Sequence, residues 1–599
     1  MEKTIKKRSQ VDPKYTWATE DLYASDSDWE KDFIDTGKLI EKIQDYKGKL
    51  GSSANALVVY FKLLEEIVLK MDRVANYAQR KSDEDTKNTT YQDLASRLMN
   101  IYVAFQSANS FATNECLNIS EDILNKFYKE NKELLDYKRY IDEIRRQKEH
   151  ILSEEQEKLL AEAGNLGDAP STIFSMLSDA DMEFPDVIGE DAKPQKLTHG
   201  TFISYLESSN REVRKDAFMK LYHTLDKFKN TSAATYFAQI KQLMFFAKAR
   251  KYNSTLEAAL DNTNVPVSVY KNLVKAVEDN MHYMHKYVKL RKKLLGLDEL
   301  HMYDLYTTVV NNAEVKISFE EAKKNVMEAV APLGKDYQAI LKEGFENRWI
   351  DVYENEGKSS GAYSAGAKVH PYVLLNHTDS LDSEFTLAHE MGHSIHSYLS
   401  NKTQKPLDAE YVIFVAEVAS TCNEALLMEY LLNKTTDKLE RAYLINHFLE
   451  QFRGTIYRQT MFAEFEMITN EMAEKGMTLT ADALSKVYYD LNVKYYGEDI
   501  VVDKEIAIEW ARIPHFFYNF YVFQYATGYS AAIALSRKIL DEGEEAVKNY
   551  KKFLSGGCSK TPIELLKIAG VDMTTAQPIN EALKLFGTLI DELEELLAD

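Results

Sequence analysis

Residues 385–398 read FTLAHEMGHSIHSY, and at their centre His389, Glu390 and His393 stand in the order His-Glu-x-x-His. Residues four apart on a helix lie one above the other on the same face, about one turn apart. Two imidazoles so placed can bind one zinc ion, while Glu390, rotated ~100° from His389, can reach a water in an open coordination position. The local sequence permits that helix. Asp382 or Ser383 can cap its start, Glu384 suits the first turn, and no proline interrupts it up to Ser400. Met391, Ile395 and Leu399 recur every four residues as an apolar face. The bland alternative is an amphipathic helix with two satisfied histidines. With thirteen histidines in 599 residues, chance supplies only about 0.03 such patterns in a chain of this length.

A two-histidine site needs at least one more protein ligand, and His₂Glu with water in the fourth position is a known catalytic zinc arrangement. A second apolar helix is expected from Phe414, reading FVAEVASTCNEALLMEYLL. Its Glu417 follows His393 by 24 residues, enough to finish one helix, turn around Asn401 to Pro406 and return beside it. Glu417 is an acid among residues that favour burial, which makes it the candidate third ligand; otherwise it is a surface carboxylate at a helix edge. Glu424, seven residues on, shares its face. It either orients a ligand histidine through the free ring N–H or is a solvated helix acid.

HEMGHSIHS followed by FVAEVASTCNEAL resembles the thimet oligopeptidase family of zinc metallopeptidases, and within it the oligoendopeptidase F branch. GKSSGAYSAG at 357–366 and RIPHFFYNFYVFQYATGYSAA at 512–532 carry the same resemblance. It is loose over the N-terminal third and close from about Leu197 to about Ala532. On matching positions the resemblance implies one zinc ion per chain on His389, His393 and Glu417, with Glu390 as general base. It further implies that His515 and a following tyrosine stabilise the transition state. Tyr518, Tyr521, Tyr525 and Tyr529 crowd that stretch, and the alignment favours Tyr525, then Tyr518. For fold the resemblance implies a mainly α, two-lobed helical zincin-type metallopeptidase with a small β-sheet beside the active-site helix. For substrate it implies short unstructured oligopeptides.

Composition sets the class around these motifs. Hydrophobic content of 45% and charged content of 28% fit a globular protein with a sizeable core, and eleven prolines and 23 glycines leave room for long helices. The net charge of −21 repels phosphate backbones, so nucleic acid is not an expected partner. Cys116, Cys422 and Cys558 are far apart and odd in number, which argues against a disulfide framework and for a reducing interior. The N-terminus MEKTIKKRSQVDPKYTW lacks the apolar stretch of a secretory signal, and no run approaches the ~20 apolar residues of a membrane span. The expectation is a cytoplasmic protein with no membrane partner; the oligomeric state is not readable.

Taken in order, residues 1–20 read as an extended arm and the chain from Asp26 to about Gly164 as helices. Leu57, Tyr60, Leu63, Leu64, Ile67 and Val68 mark one amphipathic helix. Prolines and glycines between Ala169 and Gly200 suggest short strands and a boundary near 185–200, dividing an N-terminal helical domain (1–190) from a catalytic helical domain (191–599). Ser209-x-x-Glu212 and Ser318-x-x-Glu321 read as capping boxes, Val267–Leu295 as one helix, and 434–475 and 480–496 as two more. Glu505 to Leu540 reads as a buried helix, although a histidine and several hydroxyl-bearing rings in one apolar run also suit a substrate lining. Between Asp351 and Ser380, Gly361–Ala365 and Tyr372–Asn376 suggest a paired sheet. An exposed edge there, around Gly361, Ala362 and Tyr363, can bind an extended peptide backbone by strand addition, the role the resemblance also implies. His370 and His377 read as polar loop residues.

The expected reaction is endopeptidase hydrolysis of oligopeptides by zinc-activated water, with Glu390 taking the water proton. Two rivals stand beside it. A metallocarboxypeptidase on a similar scaffold needs a cation for a free C-terminus, for which Arg512 is available. A helical peptide-binding scaffold with a lapsed metal site needs no chemistry at all.

Overall fold

A computed structural model describes residues 5–310 and 316–598, and it is mainly α. The chain forms two compact units, each assembled from separated stretches: residues 1–149, 314–430 and 535–571 in the first, and 150–313, 431–534 and 572–599 in the second.

The first unit opens on the N-terminal arm, which carries three short 3₁₀ turns rather than running extended throughout. Behind it the 31-residue helix Ala54–Glu84 starts at Ser53, whose hydroxyl accepts from Ala56 N. It buries Leu57, Phe61, Leu64, Ile67, Met71 and Val74 at helical spacing against Asp26–Glu41 and Thr89–Asn109. Tyr77, near the end of the same helix, donates to Asp26. Further on, Lys138–Arg146 and Glu154–Gly167 are separate helices.

The unit also holds a small three-stranded sheet. Strands β1 (Ile350–Asp351), β2 (Tyr363–Ala365) and β3 (Tyr372–Leu374) lie in the order β1-β3-β2. β1 runs parallel to β3, and β2 runs antiparallel to it with Ser364 opposite Val373. The sheet therefore ends on β2, as the glycine-bounded alternation suggested, and is backed by the N-terminal arm. Val352 N donates to Tyr15 O, Trp17 Nε1 donates to Val373 O, and Arg8 pairs with Glu84 at 2.9 Å and with buried Asp351 at 2.5 Å. Lys358, fully buried, answers the other Asp351 oxygen at 2.8 Å. The arm thus replaces solvent on the side of β1, and its charge pairs satisfy a carboxylate that would otherwise be buried alone.

The second unit is mainly helical, with a short hairpin of Val187–Ile188 and Pro194–Gln195 in the segment where prolines and glycines predicted short strands. Several helix boundaries differ from those the sequence suggested. The cap of Arg211–Lys227 is Asn210, whose side chain accepts from Glu212 N, so the Ser209 box does not form. Val267–Leu295 divides at Asn280, where the backbone leaves helical angles and the side-chain amide donates to Ala276 O. The stretch 434–475 becomes Lys438–Phe452, a wider π turn at 453–457 and a further helix. Ser318, in the first unit, caps Phe319–Ala329 through Glu321 N as its spacing predicted. Among the described residues no helix is long and apolar enough to cross a membrane.

Candidate metal centre

The site begins with helix α1 (Leu381–Thr403). Its cap is Ser380, whose hydroxyl accepts from Ser383 N; the sequence suggested Asp382 or Ser383, one turn boundary too late. Met391 and Ile395 are fully buried on the core side and Leu399 is half-buried, which leaves His389 and His393 on the opposite, partly exposed face. Helix α2 (Ile413–Lys434) returns beside it after a loop that starts at Gln404.

The two helices can approach because residue 392 is glycine. A Cβ there would stand 2.6 Å from Ser420 Cα and 2.7 Å from Ala419 O, backbone atoms that no rotamer change can move. Asn423 on α2 donates to Ala388 O at 3.1 Å and accepts from Tyr337 OH at 2.8 Å, which fixes the register of one helix on the other. Tyr411, just before α2, stacks on His396 at 3.7 Å between ring centroids and contacts Ser397 Oγ. Gly392, Asn423, Tyr337 and Tyr411 carry no chemistry of their own and were not singled out in the sequence. Only Gly392, lying inside the motif, gave a readable signal.

This packing brings three donor atoms together. His389 Nε2 and His393 Nε2 are 3.2 Å apart, and each is 3.3 Å from Glu417 Oε2. Among the described residues this is the one group of three that could hold a metal ion. A tetrahedral ion with bonds of about 2.0–2.1 Å has donor–donor edges of about 3.3–3.4 Å, so a zinc ion fits this triangle and retains an open fourth position. Glu424 Oε1 lies 2.6 Å from His389 Nδ1. The Nδ1–H donates to Glu424, which fixes the ring with Nε2 toward Glu417 and His393. Burial pushes the Glu417 carboxyl up, but hydrogen bonds from His389 and His393 outweigh it and hold Glu417 well below the usual carboxylate range. Glu390 is 6% exposed, and burial, against the pull of both imidazoles, holds its pKa above the ordinary value. One of its oxygens has no protein partner.

Beside α1 lies β2. Ser364 Oγ is 2.9 Å from Ser394 Oγ, which ties the strand to the helix that carries the histidines. Gly361 takes a φ of 79° in the turn that enters it, and Asn376 donates to Gly361 O. Tyr363 OH donates to Asp83. A cavity of about 280 Å³ opens between this strand and the start of α1, lined by Gly361, Ala362, Asn376, His377, Ser383 and Thr386. His377 and His370 do lie in loops, but both are buried. His396 is buried as well, and burial pushes it down to about 3, so it packs as a neutral ring against Tyr411.

His515, Tyr518 and Tyr525 lie in the second unit, in a cluster of their own. Glu505 to Leu540 is not one helix: 3₁₀ turns at Lys504–Arg512 and Pro514–Phe517 precede helix α4 (Phe523–Glu542), helix α3 being Arg458–Glu474 earlier in the chain. His515 stands 5.6 Å from Tyr518, 6.3 Å from Tyr521 and 5.9 Å from Tyr525 by ring centroids. Burial holds its pKa below the usual imidazole value. Tyr529 is set apart from these rings, buried against Phe452. Arg512 approaches Glu509, 3.5 Å away, with its guanidinium over the Phe202 ring, and Glu509 is itself held low by Arg458.

The sequence matches two family models: one described as Peptidase family M3 over residues 204–585, and one described as Oligopeptidase F over residues 115–184. It is 50% identical to Oligopeptidase PepF of Bacillus subtilis over 591 residues, 98% of this chain and 88% of the relative. The fold is similar to that of a solved Chlamydophila abortus chain at a TM-score of 0.91 and 34% identity, covering 99% of this chain and 100% of that one. It is also similar to oligoendopeptidase-F from Enterococcus faecium at a TM-score of 0.75 and 40% identity, covering 96% and 99%.

Proposed function

On the premise that this chain belongs to peptidase family M3, a family of metallopeptidases, we propose that it is a cytoplasmic zinc-dependent endopeptidase that cleaves short unstructured oligopeptides. The observation that carries the reading is the triangle of His389, His393 and Glu417, whose edges of 3.2–3.3 Å match a tetrahedral zinc site. One zinc ion per chain would be held there. When bound, it supplies Lewis acidity, polarising a carbonyl oxygen and acidifying water.

The remaining work belongs to the chain's own residues. Glu390 takes a proton from the attacking water and later passes it to the leaving nitrogen; its burial above the ordinary carboxylate pKa suits a group that must both accept and release. Glu424 holds the His389 ring in one tautomer and orientation. The free edge of β2, at Gly361, Ala362 and Tyr363, pairs with the peptide main chain, so recognition depends little on side chains. His515 and Tyr525, with Tyr518 as the alternative ring, are assigned from the family resemblance to donate hydrogen bonds to the developing oxyanion.

The carboxypeptidase reading draws no support from Arg512, which is engaged with Glu509 and Phe202. Mass spectrometry of products from peptides blocked at both ends and from the same peptides with free C-termini, with and without chelator, tests the proposal. Internal cleavage that chelator abolishes and zinc restores is expected. Cleavage of free C-termini alone, or cleavage indifferent to chelator, overturns it.

A further inference from the structure

Between Phe517 and Val522 the chain makes a turn that ordinary residues resist. Asn519 and Phe520 both take positive φ, 55° and 59°. Asparagine tolerates this region, but a phenylalanine there is an outlier that its surroundings must enforce. The turn joins the 3₁₀ segment carrying His515 to α4, which carries Tyr525, so its geometry sets the distance between those rings.

Two buried side chains from two different helices reach beneath the turn. Glu466, on α3 and 1% exposed, accepts a hydrogen bond from Phe520 N at 2.6 Å. Gln239, on the helix Lys229–Ala249 and 3% exposed, donates to Asn519 Oδ1 at 2.9 Å and approaches Phe517 O at 3.4 Å. Neither side chain is fully satisfied. Glu466 Oε2 and Gln239 Oε1 have no hydrogen-bond partner. The surroundings are aromatic, with Tyr270 packed on Phe520 and Phe523. An ionisable group with one orphaned oxygen in such a place is costly, and cost of this kind gathers at functional sites. Burial pushes Glu466 up to about 8, so near neutral pH the group serves as a neutral carboxyl accepting through one oxygen, a task an amide can also perform.

We propose that Glu466 and Gln239 are positioning residues for the reaction: by gripping the left-handed Asn519–Phe520 turn they set His515 and Tyr525 at their working separation. This rests on the assignment of those two rings to oxyanion stabilisation.

The test uses full-length zinc-loaded protein as Glu466→Leu, Glu466→Gln and Tyr525→Phe. It reads kcat and KM on a blocked fluorogenic peptide, zinc content, and amide hydrogen exchange over residues 518–522. Glu466→Leu should exchange faster over the turn, keep its zinc, and lose about 10-fold or more in kcat with KM moving less than about 3-fold. Glu466→Gln should recover both exchange and kcat to within about 3-fold, because its amide oxygen accepts the same N–H. Unchanged kcat in Glu466→Leu while Tyr525→Phe is slow overturns the positioning role, as does a Glu466→Gln variant no better than leucine. Normal turnover of Tyr525→Phe instead strikes the oxyanion assignment to that ring. If Glu466→Leu does not fold, Gln239→Leu takes its place with the same expectation, and unchanged kcat there overturns the proposal.

Discussion

Glu390 and Glu417 are both acids close to the two imidazoles, yet their surroundings assign them opposite tasks. Glu417 Oε2 meets both imidazole Nε2 atoms at 3.3 Å, whereas Glu390 is buried with one oxygen unpartnered. Two substitutions should separate them. Glu390→Gln is expected to retain zinc and peptide binding while kcat falls about 10²–10⁴-fold, the usual share of general acid–base catalysis. Glu417→Ala is expected to lose tightly bound zinc on dialysis, since two histidines remain. Near-normal turnover of the first, or full zinc retention by the second, reverses the assignment. Glu466 provides a pH prediction of a different kind. Its pKa is about 8 in the folded chain against 4.5 for the ordinary group, raised by burial with the hydrogen bond from Phe520 N working against it. The native state thus keeps the proton that the unfolded chain releases. The resulting stabilisation is complete below about pH 4.5 and is lost as pH rises through about 8. Thermal melts of wild type and Glu466→Gln should diverge over that window, wild type losing Tm relative to the variant. Parallel curves would show that the carboxyl is ionised in the folded protein.

At the scale of elements, the site is a contact between two helices rather than a property of either. The His-Glu-x-x-His helix presents two ligands by its own periodicity, but Glu417 reaches them only because α2 lies against the backbone of α1 at Gly392. A methyl group there meets Ser420 Cα at 2.6 Å, so Gly392→Ala must push α2 away. The shift should raise the zinc dissociation constant by at least the about 10–100-fold seen when outer contacts of a metal site are lost, and kcat at saturating zinc should fall as well. A competitive titration against a chromogenic chelator measures the first effect; wild-type affinity would mean that the helices can repack without cost. The sheet shows the same dependence. β2 is usable as an edge only because β3 and β1 hold its other side, and Ser364 meets Ser394 on α1.

For the whole molecule, the N-terminal arm is the feature of longest reach. Arg8 lies 343 residues from Asp351 in the chain, yet pairs with it, with Glu84 and with Asn355. Arg8→Ala leaves Asp351 to Lys358 and the Trp17 N–H and should cost about 1–3 kcal/mol in denaturant melts. Because the arm backs the sheet, KM should rise more than kcat falls and zinc content should stay unchanged. An unaltered KM would confine the arm to stability. The helical class, the metal helix, the glycine-bounded sheet and the acid 24 residues downstream were all legible in the sequence, because each rests on local spacing: four residues per helical turn, alternation along a strand, apolar flanks around a carboxylate. What escaped it was set by partners distant in the chain. Val267–Leu295 breaks at Asn280, whose amide donates to Asn580 and whose carbonyl accepts from Tyr457, and the expected helix at Glu505–Leu540 opens into a left-handed pair that Glu466 and Gln239 meet from other helices. The sequence by itself determined which residues could bind a metal, since ligand chemistry and helical period are properties of a short segment. Only the tertiary structure decided that three donor atoms stand 3.2–3.3 Å apart, since that distance depends on how closely two backbones pack, and a missing side chain at Gly392 acts only against the helix it meets.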